Sequence, residues 1–255
     1  MHLNYKPSGT GPPLIILHGL FGMLDNWKTV GKGLEDKFTI YLVDQRNHGK
    51  SPHVDAHSYK LMAEDIREFF EYHHIKSAHI IGHSMGGKTA MQFALDHGEM
   101  VNKLIVVDMG IKRYVGGHDK IFDALMSLDI KSITSRKDAE SLLIEKVADT
   151  GVRQFLLKGL TRNANGSYDW KFNLKALSEN YDEEILGPVV SDKSFQGKTL
   201  FIRGENSDYI LNDDWDVIQK LFPNSRLITI KNAGHWVHAD QPEALIKTVE
   251  LFLLT

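Results

Sequence analysis

Apolar residues along this chain fall into two alternating patterns. Unbroken apolar runs such as Leu14-Ile15-Ile16-Leu17, Ile80-Ile81, Leu104-Ile105-Val106-Val107 and Leu200-Phe201-Ile202 have no polar face, as expected of strands covered on both sides in a parallel sheet. Residues 38–43 and 226–230 read as further strands of the same kind. Between these runs the apolar spacing switches to that of helices. Residues 26–35 carry Trp27, Val30 and Leu34, and residues 59–73 carry Met62, Ile66, Phe69 and Phe70 opposite Glu64, Asp65, Arg67 and Glu68. Residues 88–97, 213–221 and 242–253 complete the set. Strand and helix in alternation predict an α/β architecture with a mostly parallel central sheet flanked by helices.

The alternation breaks once. From 110 to 196 the spacing is mainly helical, near 120–127, 137–149, 151–160 and 170–180, with polar joints such as Asn163-Ala164-Asn165-Gly166-Ser167. Residues 110–196 are therefore expected to be a helical cap inserted into a core made of residues 1–109 and 197–255. There are no internal repeats and no low-complexity linkers.

Composition narrows the range of chemistry. The chain has 255 residues, enough for one large domain carrying an insertion, and a formal net charge of −3. With neither a basic excess nor a run of like charges, nucleic acid is not an expected partner. Cysteine is absent, which excludes disulfides, thiolate metal sites and a cysteine nucleophile. Residues 1–13 are polar and lack a signal-peptide core, and no later stretch has the length of a membrane span; the expectation is a cytoplasmic protein without a membrane partner, monomeric or homodimeric. The 13 histidines show no metal-site spacing, so neither a metal nor an organic cofactor is expected.

The chemistry gathers at strand ends. Ala78-His79-Ile80-Ile81 runs into Gly82-His83-Ser84-Met85-Gly86-Gly87 and then into a helix. This is Gly-x-Ser-x-Gly in the strand–turn–helix setting the motif requires. A serine on so sharp a bend sits in strained backbone, and glycines on either side remove side chains that would collide. At the helix start the Met85 N–H has no partner within the helix and becomes a free donor. The first apolar run ends in His18-Gly19-Leu20-Phe21-Gly22, a glycine-flanked turn expected to leave the Leu20 N–H pointing into the crevice where strand ends meet. Asp108 closes the strand after the elbow helix, at the same edge of the sheet.

The succession His18-Gly19, Asp44-x-Arg46-x-His48-Gly49-x-Ser51, Gly82-His83-Ser84-Met85-Gly86-Gly87 and Gly234-His235 resembles the α/β-hydrolase superfamily over essentially the whole chain. Within that superfamily, His18-Gly19-Leu20-Phe21-Gly22, Arg46-Asn47-His48-Gly49, the elbow through Lys88, and Ala233-Gly234-His235-Trp236-Val237-His238-Ala239 look like the YbfF-type bacterial esterases. The resemblance implies an α/β-hydrolase fold with a small helical lid and a serine carboxylesterase activity.

On that reading Ser84 is the nucleophile and needs a base to take its proton. His235 follows a strand and a glycine late in the chain, where the serine–acid–histidine order of this fold puts the base. The acid has two candidates. Gly204-Glu205-Asn206-Ser207-Asp208 occupies the usual place after the cap, but the usual aspartate position holds Ser207 and Asp208 comes one residue late. The YbfF-type esterases use the earlier position, here Asp108, which is preferred. The N–H groups of Leu20 and Met85 would form the oxyanion hole, and Phe21 and Trp236 flank the site as substrate contacts. His18 and His83 are expected to pack and hydrogen-bond at the sheet edge, His48 to brace a loop, and His238 to line the pocket or hydrogen-bond nearby.

The expected substrates are small-molecule esters with short to medium acyl chains, or thioesters. Carbon–carbon bond hydrolases and perhydrolases use the same groups and stay open as alternatives, as does a ligand receptor that keeps the fold with little turnover. Dehalogenases and epoxide hydrolases carry aspartate at the elbow, and Ser84 argues against them.

Overall fold

The computed structural model describes residues 1–255. Nine strands form, β1 (Tyr5–Ser8), β2 (Pro13–Leu17), β3 (Thr39–Val43), β4 (Ala78–His83), β5 (Val101–Val107), β6 (Leu160–Arg162), β7 (Tyr168–Trp170), β8 (Lys198–Gly204) and β9 (Ser225–Ile230). Seven of them make one sheet in the order β1-β3-β2-β4-β5-β8-β9, parallel throughout except for β1, which pairs antiparallel with β3. Strand β4, which runs into Ser84, lies at the centre, with Ile80 level with Ile15 on one side and Leu104 on the other.

Sheet residues alternate between two cores. Ile15, Leu17, Ile80, Leu104 and Val106 face helices α2 (Tyr59–Tyr72) and α3 (Met85–Asp96), while Leu14, Ile16, Ile81, Ile105 and Val107 face α1 (Lys28–Leu34) and α10 (Pro242–Leu254). The period of two divides one apolar run between two faces, which is why the runs show no polar side.

Residues between β5 and β8 hold α4 (Asp119–Met126), α5 (Arg136–Ile144), α6 (Thr150–Lys158) and α7 (Leu174–Glu179), and a single π-helical turn at Tyr181–Ile185. They share a third apolar cluster with the core, in which Phe122, Leu156 and Phe172 meet Leu20, Phe21 and Met85. Polar ties fasten the same segment. The Tyr59 hydroxyl donates to the Ile185 carbonyl at 2.7 Å, and the buried Lys88 ammonium donates to the carbonyls of Leu186 and Gly187. Burial lowers the Lys88 pKa to about 7.

Two elements depart from the sequence expectation. Residues 168–170 are not the start of a helix but one side of the short hairpin β6–β7, so the helix expected over 170–180 is confined to Leu174–Glu179. The antiparallel edge strand β1 was not anticipated. Short α8 (Trp215–Leu221) and α9 (Val237–Asp240) complete the chain, and no helix is long and apolar enough to cross a membrane.

Candidate active site

At the end of β4 the chain turns through Ser84 with φ 53° and ψ −121°, a left-handed conformation that costs on the order of 1–3 kcal/mol in a residue with a side chain. Glycines make the turn possible. A Cβ on Gly86 would stand 2.5 Å from the carbonyl oxygens of Leu17 and His18, and one on Gly82 would stand 2.1 Å from that of Gly86. All these obstacles are backbone atoms and have no rotamer by which to retreat.

Three residues far apart in sequence meet above this turn. His235 Nε2 lies 3.0 Å from Ser84 Oγ, and His235 Nδ1 lies 2.8 Å from Asp108 Oδ2. Asp108 is fully buried and sits at φ 50°, where aspartate is tolerated better than most residues. Its other oxygen, Oδ1, accepts the Gly204 N–H at 3.0 Å, and the Ser207 hydroxyl donates to Oδ2. A carboxylate with every neighbour donating is an acceptor on all sides, so the proton shared with His235 belongs on Nδ1. Nε2 is then left as the acceptor facing Ser84 Oγ.

Asp208 does not join this group. It is exposed at the rim of the adjoining cavity and makes no hydrogen bond to His235. The usual acid position is thus filled by Ser207, whose hydroxyl reaches back to the carboxylate supplied from β5.

Other buried histidines pack close to Ser84, His235 and Asp108. His83 donates from Nε2 to the His235 carbonyl at 2.8 Å, and burial holds its pKa well below the ordinary histidine range. His238 does not line the cavity; its ring stacks on Trp27 at 4.7 Å, and burial lowers its pKa to about 3. His48 Nε2 accepts the Phe21 N–H at 3.2 Å, while Gly22 N–H is taken by the Gly19 carbonyl at 3.0 Å. Within the turn after β2 the Leu20 N–H is left without a protein acceptor, as is the Met85 N–H at the start of α3. Arg46 fixes the neighbouring loop through two bonds to the buried Asp65 carboxylate, at 2.6 and 2.8 Å.

A cavity of about 270 Å³ opens beside Ser84, with Leu20, Met85, Met109 and Leu186 among its walls. The side chains of Phe21 and Trp236 are not part of it. Phe21, at φ 59°, is turned against Phe122 of α4 and Phe172, and Trp236 packs on Phe155 of α6. Tyr209 takes a place that sequence reasoning did not assign, its ring stacked on His235 with centroids 3.8 Å apart. Its only signal in the sequence was its proximity to Ser207. No group of three or more His, Asp or Glu residues is arranged to hold a metal ion.

Comparison with known proteins agrees with this fold. The family model for the α/β hydrolase fold matches residues 12–242. The chain belongs to the α/β-hydrolase fold family. It is 39% identical to the sn-1-specific diacylglycerol lipase ABHD11 of Danio rerio over 258 residues, covering 98% of this chain and 80% of that protein. To esterase YbfF of Escherichia coli it is 33% identical, over 94% of this chain and 92% of the other. Among solved structures, a marine microorganism esterase superposes with a TM-score of 0.96 at 43% identity, covering 98% of both chains. The protein is an esterase/lipase-type hydrolase of this fold.

Proposed function

We propose that the protein is a serine carboxylesterase that hydrolyses short to medium acyl esters, or thioesters, through an acyl-enzyme. The observation that carries this reading is the continuous chain Ser84 Oγ, His235 and Asp108, with separations of 3.0 and 2.8 Å, on a left-handed elbow beside a cavity.

In this reading Ser84 Oγ adds to the ester carbonyl while His235 Nε2 takes its proton, and the buried Asp108 carboxylate stabilises the imidazolium that forms. The N–H groups of Leu20 and Met85, which have no other acceptor, hold the oxyanion. His235 returns the proton to the departing alkoxide, leaving Ser84 acylated. The side chain of His235 is 23% exposed, so water reaches it, gives it a proton and attacks the acyl carbonyl to release the acid and regenerate Ser84. The apolar walls and small volume favour chains of modest length, since about 270 Å³ is at or below the low end of the roughly 300–1,000 Å³ typical of sites for drug-sized ligands. The cap helices between β5 and β8 would act as a lid over this cavity.

The test is hydrolysis of p-nitrophenyl esters from two-carbon to long acyl chains by wild type and Ser84→Ala. The expected result is a maximum at short to medium chains and no turnover in the folded variant. Turnover retained by Ser84→Ala, or no hydrolysis of any ester by folded wild type, overturns the assignment.

A further inference from the structure

A histidine in the cavity wall is left unused by this chemistry. His118 immediately precedes α4, yet its ring makes no bond to the first N–H groups of that helix, so capping does not explain it. Instead Nδ1 lies 2.8 Å from the Tyr181 hydroxyl. That hydroxyl already accepts the N–H groups of Gly117, at 3.3 Å, and His118, at 3.0 Å. With both lone pairs occupied, its proton is directed at the one remaining neighbour, His118 Nδ1. An accepting Nδ1 leaves the imidazole proton on Nε2.

The ring is therefore fixed in one tautomer. Burial, and after it the positive charge of a protonated His235, lowers its pKa to about 4, so at neutral pH it is an uncharged donor. The edges of Phe21 and Tyr181 hold the ring in place. No protein group accepts from Nε2. Two hydroxyls of the wall are already engaged: that of Tyr59 donates to the Ile185 carbonyl at 2.7 Å, and that of Tyr114 donates to the Tyr209 carbonyl at 2.6 Å. A donor preset in orientation and charge, without a partner, in a largely apolar wall is what a site needs to read one oxygen of a ligand.

We propose that His118 is a substrate-binding residue whose Nε2–H donates to an ester oxygen other than the scissile carbonyl, which selects esters carrying an ether, hydroxyl or second carbonyl oxygen over plain alkyl esters. This rests on the esterase reading above, in which the scissile carbonyl is held by Leu20 and Met85. A plain alkyl ester offers the His118 N–H no acceptor where an ether, hydroxyl or carbonyl oxygen does, and that one hydrogen bond supplies the discrimination.

The experiment uses isosteric pairs in which one methylene becomes oxygen. Butyl butyrate is compared with 2-methoxyethyl butyrate, altered on the alcohol side, and with butyl methoxyacetate, altered on the acyl side. For each variant, the loss in kcat/KM on an ether ester is divided by its loss on butyl butyrate, which cancels intrinsic reactivity. For His118→Phe this quotient is expected to reach about tenfold on at least one ether ester, the worth of one hydrogen bond exchanged for an unpaired group. His118→Gln, which keeps an N–H in the same direction, should stay within about threefold of unity. His118→Leu gives the same reading should the phenylalanine variant not fold. Quotients near unity on both ether esters for Phe and Leu, or equal quotients for Phe and Gln, overturn the assignment. Hydrolysis of butyl butyrate by wild type, with Ser84→Ala inactive, upholds the esterase reading whichever way the quotients fall, so the two can fail separately.

Discussion

Replacing Asp108 by asparagine reverses the direction of one hydrogen bond and should disable the base. The side chain is buried and held at two ends: Oδ1 accepts the Gly204 N–H at 3.0 Å, and Oδ2 faces His235 Nδ1 at 2.8 Å. An asparagine must turn its carbonyl toward the Gly204 N–H, because the opposite orientation sets donor against donor in a dry site. The amide NH₂ then donates to His235 Nδ1, which moves the imidazole proton to Nε2, facing Ser84. Ser207 can rotate its hydroxyl to accept, so the fold loses little, and asparagine tolerates the φ of 50°. A base in the wrong tautomer lowers kcat by about 10⁴, equivalent to about 5.4 kcal/mol of transition-state stabilisation. Steady-state hydrolysis of p-nitrophenyl butyrate by Asp108→Asn and Asp208→Asn reads this directly. The Asp208 variant, altered only at an exposed rim position, should stay within about threefold of wild type. A fall of less than about tenfold in Asp108→Asn, or an equal fall in Asp208→Asn, would refute the reasoning.

Two further outcomes follow from the same packing. Gly86→Ala places a Cβ 2.5 Å from two carbonyl oxygens and should cost more than about 4 kcal/mol, read as a large drop in urea midpoint or failure to fold; a near-wild-type midpoint would contradict the described elbow. Stability should also fall as pH drops below about 6.5, because buried His57 and His238 have pKa values lowered to about 3 and stay neutral while the unfolded chain binds protons. Stability is full above the unfolded value and is lost toward the folded one, with a slope near 2.7 kcal/mol per pH unit from these two residues. Urea midpoints equal at pH 7 and pH 5 would contradict that.

Much of the fold was legible because burial on both faces leaves apolar runs such as Leu14 to Leu17 that admit one reading. The elbow was legible because its glycines are dictated by backbone clashes local in sequence. What escaped was either too short to carry a period or dependent on contacts across the chain. The edge strand β1, Lys-Pro-Ser flanked by Tyr5, is half exposed and polar, and the three-residue strands of the β6–β7 hairpin sit among helical spacings. The bond from Ser207 to Asp108 joins residues 99 positions apart, and the tautomer of His118 depends on Tyr181, 63 positions away. The departure from the usual acid position at Ser207 is visible in the sequence, but the reason for it appears only when β5 and β8 are side by side. Trp236 and Phe21 adjoin motif residues in the chain yet pack on Phe155 and Phe172 between β5 and β8, since neighbours along a turn point in different directions.

The most direct measurement traps the covalent intermediate. Wild-type protein is mixed with excess p-nitrophenyl butyrate, quenched in acid during the steady state, digested and mapped by mass spectrometry. The predicted result is a butyryl group on Ser84 within the peptide that carries Gly82 to Gly87, absent from Ser84→Ala. Continuing hydrolysis with no acyl group on Ser84, or with the acyl group on another residue, would contradict the proposed nucleophile and the mechanism built on it.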